Sequence, residues 1–308
     1  MMRKISCERI GKQKHPGQSN LRFLKHSLVS TFFLFVFSVF SCFESTPANA
    51  FHAEVIPHEI NQGDAFMIKV TDVPASAPFP VADFSKKRFY FSSCGDACFL
   101  AIGAIEMKTK PGTYTMNIFV GKQKKSLTFT VPPTTFPTLN LTLPDDKVFL
   151  SSENLKRVKK EDKKLQSLFK IVSEKLWDGR FILPLVNDFS TVFGTKRIMN
   201  KKRESVHRGL DIRGKMGEKV KASNHGRVVL AEELFFGGNT VIIDHGQGIY
   251  TIYMHLSKIN VQPGNTISKG DTVGFVGASG RATGPHLHFG VKVHNISVNP
   301  VSLAELRL

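Results

Sequence analysis

After residue 50 the chain is patterned mostly in short runs in which apolar and polar positions partly alternate. The segments 65–70 (AFMIKV), 87–91 (KRFYF), 113–120 (TYTMNIFV) and 126–131 (SLTFTV) are rich in β-branched and aromatic residues. Turn-forming stretches separate them: 61–64 (NQGD), 110–112 (KPG) and Gly121-Lys122. Short strands at this spacing predict a small β-sandwich over 51–131. That segment carries no visible chemistry and reads as a spacer or docking module. Pro132, Pro133 and Pro137 then mark a linker, 132–180. Within it, Ser151-Ser152-Glu153 opens a helix. Leu155, Val158, Leu165, Leu168, Phe169, Val172 and Leu176 recur at three- and four-residue steps and form one stripe. Lys156, Arg157, Lys159, Lys160, Lys163 and Lys164 occupy the opposite face. The stripe is expected to pack on a neighbouring domain, and the helix to end at Gly179. From Phe181 the strand pattern returns, clearest at 240–244 (TVIID), 249–253 (IYTIY), 271–276 (DTVGFV) and 286–293 (HLHFGVKV). Glycines punctuate these runs without intervening helical periodicity, so residues 181–308 are expected to form an antiparallel β domain. The fold class is therefore mainly β.

The first fifty residues follow a different pattern. Arg3, Lys4, Arg9, Lys12, Lys14, Arg22 and Lys25 precede an uncharged apolar run over 27–43. Ala48-Asn49-Ala50 closes it. A basic lead, an apolar middle and an A-x-A-like end predict a secretory signal peptide over 1–50, cut after Ala50. An uncleaved membrane anchor and lipidation at Cys42 are the alternatives. The formal net charge is +17. Cleavage would remove seven basic and two acidic residues and leave the exported chain at +12. A cationic exported protein is drawn to an anionic cell envelope. Nucleic acid is not expected as a partner, since the basic residues are dispersed and no nucleic-acid-binding motif is present. Two cysteines remain after cleavage, Cys94 and Cys98, and an oxidising compartment predicts a short-loop disulfide between them.

The candidate chemistry is concentrated near the end of the chain. In a strand over 286–293, His286 and His288 project to one face, and Leu287, Phe289 and Val291 to the other. A pair of surface histidines is the bland reading of that run alone. His207 and Asp211 stand four apart upstream, and His255 lies between in Y-M-H-L. Together they offer imidazoles and a carboxylate for a divalent metal of the zinc type, with further imidazoles for proton chemistry. There is no H-E-x-x-H and no G-x-S-x-G. His245 reads as a turn residue.

Six runs extend the pattern over 181–303: Phe193-Gly194 with Arg197, 207–212 (HRGLDI), 238–246 (GNTVIIDHG), 253–257 (YMHLS), 261–270 (VQPGNTISKG) and 280–289 (GRATGPHLHF). In order and spacing they resemble the lysostaphin/LytM-type family of zinc endopeptidases that cut peptidoglycan cross-links. The resemblance implies a LytM-type, barrel-sandwich-like peptidase domain holding one zinc ion on His207, Asp211 and His288. It implies that His286 acts on water and that His255 helps hold developing charge. Tyr253 and Asn239 are carried as candidate substrate contacts. Where some relatives have glutamate after H-L-H-F, this chain has Gly290. The implied partner is peptidoglycan, in the periplasm or cell envelope. A D-alanyl–diamino acid bridge is the first choice of bond and oligoglycine the second. The implied contact with membrane is only transient, through the signal peptide, and the chain is expected to be a monomer. An inactive wall-binding activator of other hydrolases is the alternative function. The segment 261–271 also resembles carrier-domain hairpins, but no lysine is presented at a tight turn between matched strands.

Overall fold

In chain order the strands are β1 (His52–Ile56), β2 (Ala65–Thr71), β3 (Val81–Phe84), β4 (Lys87–Tyr90), β5 (Ser92–Gly95), β6 (Cys98–Ala104), β7 (Gly112–Val120), β8 (Gln123–Val131) and β9 (Thr138–Leu141). The helix α1 (Ser152–Leu168) follows. Then come β10 (Phe189–Thr191), β11 (Lys196–Met199), β12 (Arg203–Val206), β13 (Leu210–Arg213), β14 (Lys219–Lys221), β15 (Gly226–Leu234), β16 (Gly238–Asp244) and β17 (Ile249–Leu256). The last elements are β18 (Lys258–Ile259), β19 (Thr266–Ile267), β20 (Thr272–Phe275), β21 (His286–Val293), β22 (Ile296–Val298) and α2 (Pro300–Glu305). The structure, a computed structural model, describes residues 51–85, 87–142 and 149–308. The expected signal peptide lies outside the described residues. No helix among the described residues is long and apolar enough to cross a membrane.

The N-terminal segment folds as two four-stranded sheets, β1-β2-β6-β5 and β4-β3-β7-β8. The central strands of the first sheet, β2 and β6, are buried on both faces, which explains why they are almost continuously apolar. Phe66, Ile68, Val70, Ala101 and Ile105 enter the core of the sandwich. Ala65, Met67, Leu100, Ile102 and Ala104 point the other way and join the core of the C-terminal domain. Polar contacts fix this junction. Ser302 Oγ accepts from Ala65 N at 2.9 Å, Asn299 Nδ2 donates to Asp64 Oδ1 at 3.1 Å, and His294 Nε2 donates to Ile102 O at 3.1 Å. The sandwich is thus a docked module, not a tethered spacer. Cys94 and Cys98 form a disulfide at the β5–β6 turn.

Two features of the linker differ from the expected single long helix. Residues Thr138–Leu141 form β9, which pairs in parallel with β11 of the C-terminal domain. The helix starts where expected, with Ser151 Oγ accepting from Asn154 N, but it ends at Phe169 rather than Gly179. Val172, assigned to the stripe, and its neighbour Ile171 lie beyond the helix and are exposed. Their β-branched side chains do not favour helix, and the backbone there is drawn into other bonds: Gln247 N donates to Ser173 O, and Leu176 N to His245 O. The part of the stripe that is helical does pack on the neighbouring sheet. Leu165, Leu168 and Phe169 lie against Leu230, Leu234, Ile242, Tyr250 and Ile252.

The C-terminal domain is built on one large sheet, in the order β10-β13-β21-β17-β16-β15-β19, with β22 added beside β21. A small sheet, β14-β20-β18, lies beside it. The domain is mainly β and antiparallel, as expected, and the large sheet does not close into a barrel. Its ends, β10 and β19, remain unpaired with one another because each is only a short edge segment.

His245 sits fully buried in this domain. It does not cap a turn; Asp244 does that, accepting from Gly246 N at 2.9 Å. His245 Nδ1 donates to His225 O at 2.7 Å, and its Nε2 meets the Thr251 hydroxyl at 2.7 Å. Burial lowers its pKa to about 4. The unfolded chain takes up this proton near the ordinary histidine value of about 6.5, whereas the folded chain resists it. Stability is therefore expected to fall as pH drops from about 6.5 towards 4, by up to about 3 kcal/mol from this residue. Urea unfolding at stepped pH tests this: a His245→Gln variant should show a shallower loss across that window than the parent.

Candidate metal centre

Strand register assembles the site. β13 and β21 pair antiparallel with Asp211 opposite His288 and Ile212 opposite Leu287. Leu210, Ile212, Leu287, Phe289 and Val291 fill the core face. The same alternation puts Asp211, His286 and His288 together on the other face. His207 precedes β13 and is fixed by its backbone: its N–H donates to Thr195 O, and its carbonyl accepts from Gly194 N, both at 2.9 Å. Gly209 lets this turn pass close to the site. A Cβ there would lie 2.6 Å from His288 Nε2.

Three side-chain atoms converge. His207 Nε2 lies 2.9 Å from Asp211 Oδ1 and 2.9 Å from His288 Nδ1, and His288 Nδ1 lies 2.8 Å from Asp211 Oδ1. His207 Nδ1 meets the carbonyl of Val192 at 3.0 Å, and a carbonyl only accepts, so the proton of a neutral His207 sits on Nδ1. Its Nε2 then points a lone pair at a carboxylate oxygen. Burial lowers the pKa of His288, which favours its neutral form despite the nearby Asp211. Burial by itself would raise the pKa of Asp211, but the closeness of His207 and His288 outweighs it and holds the carboxyl well below the usual range. Two imidazole nitrogens and one carboxylate oxygen turned towards one another form a donor set that suits a cation between them. Nitrogen and carboxylate donors of this kind fit zinc, and the backbone carbonyl on the far side of His207 is the partner such a ligand needs. No other such group of three or more metal-ligating residues occurs among the described residues.

The surroundings supply the remaining chemistry. Arg197, on β11, pairs through Nη2 with the second oxygen of Asp211. His286 Nε2 lies 3.8 Å from Asp211 Oδ1, and its Nδ1 donates to Gly284 O at 2.9 Å. The ring centroids of His255 and His286 are 4.8 Å apart. His255 Nδ1 donates to Ser279 O at 2.9 Å. His255 has a φ of 64°, a left-handed conformation that costs a residue with a Cβ about 1–2 kcal/mol. Its N–H donates to Gly237 O at 2.7 Å, and this bond holds the backbone there. Burial lowers the pKa of His255 to about 4. With both Nδ1 atoms committed to carbonyls, His255 and His286 present Nε2 lone pairs towards the site.

Not every expected residue reaches it. Tyr253 is placed in the core, not in the cleft. Its ring tilts against Phe289, and its hydroxyl accepts from Ser223 N at 2.9 Å and meets Thr251 Oγ1 at 3.0 Å. Strand alternation explains this: Tyr253 pairs with core-facing Phe289. Asn239 stands at the cleft wall, where its Nδ2 donates to Leu256 O at 3.0 Å and its N–H to Ser279 Oγ at 2.9 Å. It braces the loops on either side of His255. The pairing of Arg197 with Asp211 was not foreseeable from spacing, since β11 is joined to β13 only through the β12 hairpin.

Residues 205–300 match the family described as Peptidase family M23. A DD-carboxypeptidase/endopeptidase, Mpg, of Neisseria meningitidis is 38% identical over 136 residues, which is 44% of this chain and 31% of that protein. The peptidoglycan DD-endopeptidase ShyA of Vibrio cholerae is 42% identical over 98 residues, 32% of this chain and 23% of that protein. The chain thus spans a third or less of these curated relatives. A solved structure described as a peptidase M23 from Pseudomonas aeruginosa superposes with a TM-score of 0.60 at 27% identity, covering 79% of this chain and 93% of that one. That coverage takes in strands of the N-terminal sandwich as well. The C-terminal part of this chain, with His207, Asp211 and His288 at its centre, is a peptidase family M23 domain.

Proposed function

We propose that the protein is a zinc-dependent endopeptidase that hydrolyses peptide cross-links of bacterial peptidoglycan. The observation that carries this reading is the convergence of His207, Asp211 and His288, with two further imidazoles at their edge. A D-alanyl–diamino acid bond is favoured over oligoglycine, in line with relatives named as DD-endopeptidases. Such a substrate places the protein outside the cytoplasm, and the basic-then-apolar N-terminus fits export there. The alternative, a non-catalytic wall-binding activator, is disfavoured because none of the five polar residues is lost.

His207, Asp211 and His288 would hold the zinc. When bound, zinc supplies Lewis acidity, which acidifies water and polarises the scissile carbonyl. His286 Nε2, a lone pair at the edge of the cluster, takes the water's proton and returns it to the leaving amine. His255 begins neutral, with its proton on Nδ1. It can donate from Nε2 to a developing oxyanion only after gaining a proton, and the growing negative charge beside it favours that gain. Arg197 holds Asp211 in orientation through its second oxygen.

Metal analysis of the purified protein is expected to find about one zinc per chain, and chelation to abolish release of fragments from intact sacculi. His286→Ala and His255→Ala should retain zinc while kcat falls by about 10²–10⁴, the range for loss of a positioned acid–base group. His288→Ala should lose zinc and activity together. Arg197→Ala should weaken zinc affinity by about 10–100-fold, measured by competition with a chromophoric chelator. Digestion of sacculi by metal-free protein would count against the whole reading.

A further inference from the structure

Among the described residues, one cation near the candidate metal centre has no carboxylate partner. Arg281 stands in the loop that ends at His286, and its N–H donates to Phe236 O at 3.0 Å. Its guanidinium lies over the Phe236 ring, 4.1 Å from the centroid. It makes no ion pair with any carboxylate among the described residues. Its charged surroundings are cationic. Burial lowers its pKa from the ordinary value, and the nearness of Arg203 and Arg197 lowers it further. The β11–β12 register puts Arg197 opposite Ser205, and Met199 opposite Arg203, so both arginines share one face of that hairpin. Arg197 in turn touches Asp211 of the metal cluster. The start of the Arg281 loop is tied to the catalytic side as well, through Ser279 O and His255 Nδ1.

A half-buried guanidinium crowded by like charges is unfavourable unless an anion joins it. The aromatic ring takes up one side of the guanidinium, and its N–H fork can receive a planar oxyanion in a two-point contact. We propose that Arg281, seated on Phe236, binds a carboxylate of the substrate next to the scissile amide. This rests on the peptidase reading above and deepens it. In a cross-link whose acceptor is a diamino dicarboxylic acid, the carbon bearing the amide nitrogen also carries a free carboxylate. That group lies within a few bonds of the carbonyl to be attacked, as Arg281 lies beside the cluster that would attack it. An oligoglycine bridge offers no such group. Arg281 is therefore a specificity-determining residue for dicarboxylate cross-links.

The test uses two synthetic cross-linked muropeptides that differ only in whether this carboxyl is free or amidated, with the zinc-loaded protein. The unmodified protein is expected to cleave the free acid with kcat/KM higher by about tenfold or more, the scale of one charge-assisted hydrogen bond pair. Arg281→Gln should lose that preference through a rise in KM for the free acid, with zinc content unchanged. Arg281→Lys, which keeps the charge without the fork, should recover part of it. Equal cleavage of both substrates by the unmodified protein would overturn the proposal, as would a preference that persists in Arg281→Gln, and either result leaves the peptidase reading standing. Cleavage of neither substrate would overturn both.

Discussion

The antiparallel pairing of β13 with β21 is the constraint on which the site depends. It sets Asp211 directly across from His288 and leaves His286 on the same face. A slip of one residue would turn these side chains into the core and Leu287 and Phe289 out of it. Burial of Leu210, Ile212, Leu287 and Phe289 therefore guards the register, and the apolar face of the strand pair specifies the position of the polar one. The ligand triangle is assembled by packing that contains no ligand atoms.

Around that pair, the rest of the chain acts as a brace. Arg197 reaches Asp211 from β11, and β11 is itself held by β9 on one side and β12 on the other. The strand β9 belongs to the segment between the sandwich and the C-terminal domain, so the N-terminal half contributes directly to the wall behind the carboxylate. On the opposite side, α1 presses on the β15–β16 hairpin, where Glu161 accepts from Phe235 N at 2.9 Å. The tip of that hairpin supplies Gly237 O to His255 and the Phe236 ring to Arg281. Left-handed backbone at His255 is tolerated because this scaffold fixes it from two sides.

Much of the site was legible in the sequence, because strand alternation is a strict rule. The opposition of His286 and His288 to Leu287, Phe289 and Val291 follows from periodicity alone. His207 and Asp211 entered the pool of candidate ligands through their four-residue spacing, but dividing that pool into metal ligands and proton carriers needed the family resemblance. Tyr253 was misplaced because its neighbour His255 suggested the cleft, whereas its pairing with Phe289 sends it to the core. The helix boundary was misread because the three-and-four stripe continues through Val172 and Leu176, although β-branched Ile171 and Val172 and bonds from Leu176 and Gln247 end the helix earlier. The two-faced burial of β2 was visible as an unbroken apolar run, but which domain covered its outer face was not. Arg197 and Arg281 both stand in runs that carry the resemblance, but what they touch depends on contacts between distant segments that those runs do not reveal.

The central claim is that His207, Asp211 and His288 jointly hold one divalent ion. X-ray absorption at the zinc edge of the loaded protein measures this shell directly. The account predicts a first shell of nitrogen and oxygen only, with outer-shell scattering from two imidazoles. A shell containing sulfur, or scattering from a single imidazole or none, would contradict it.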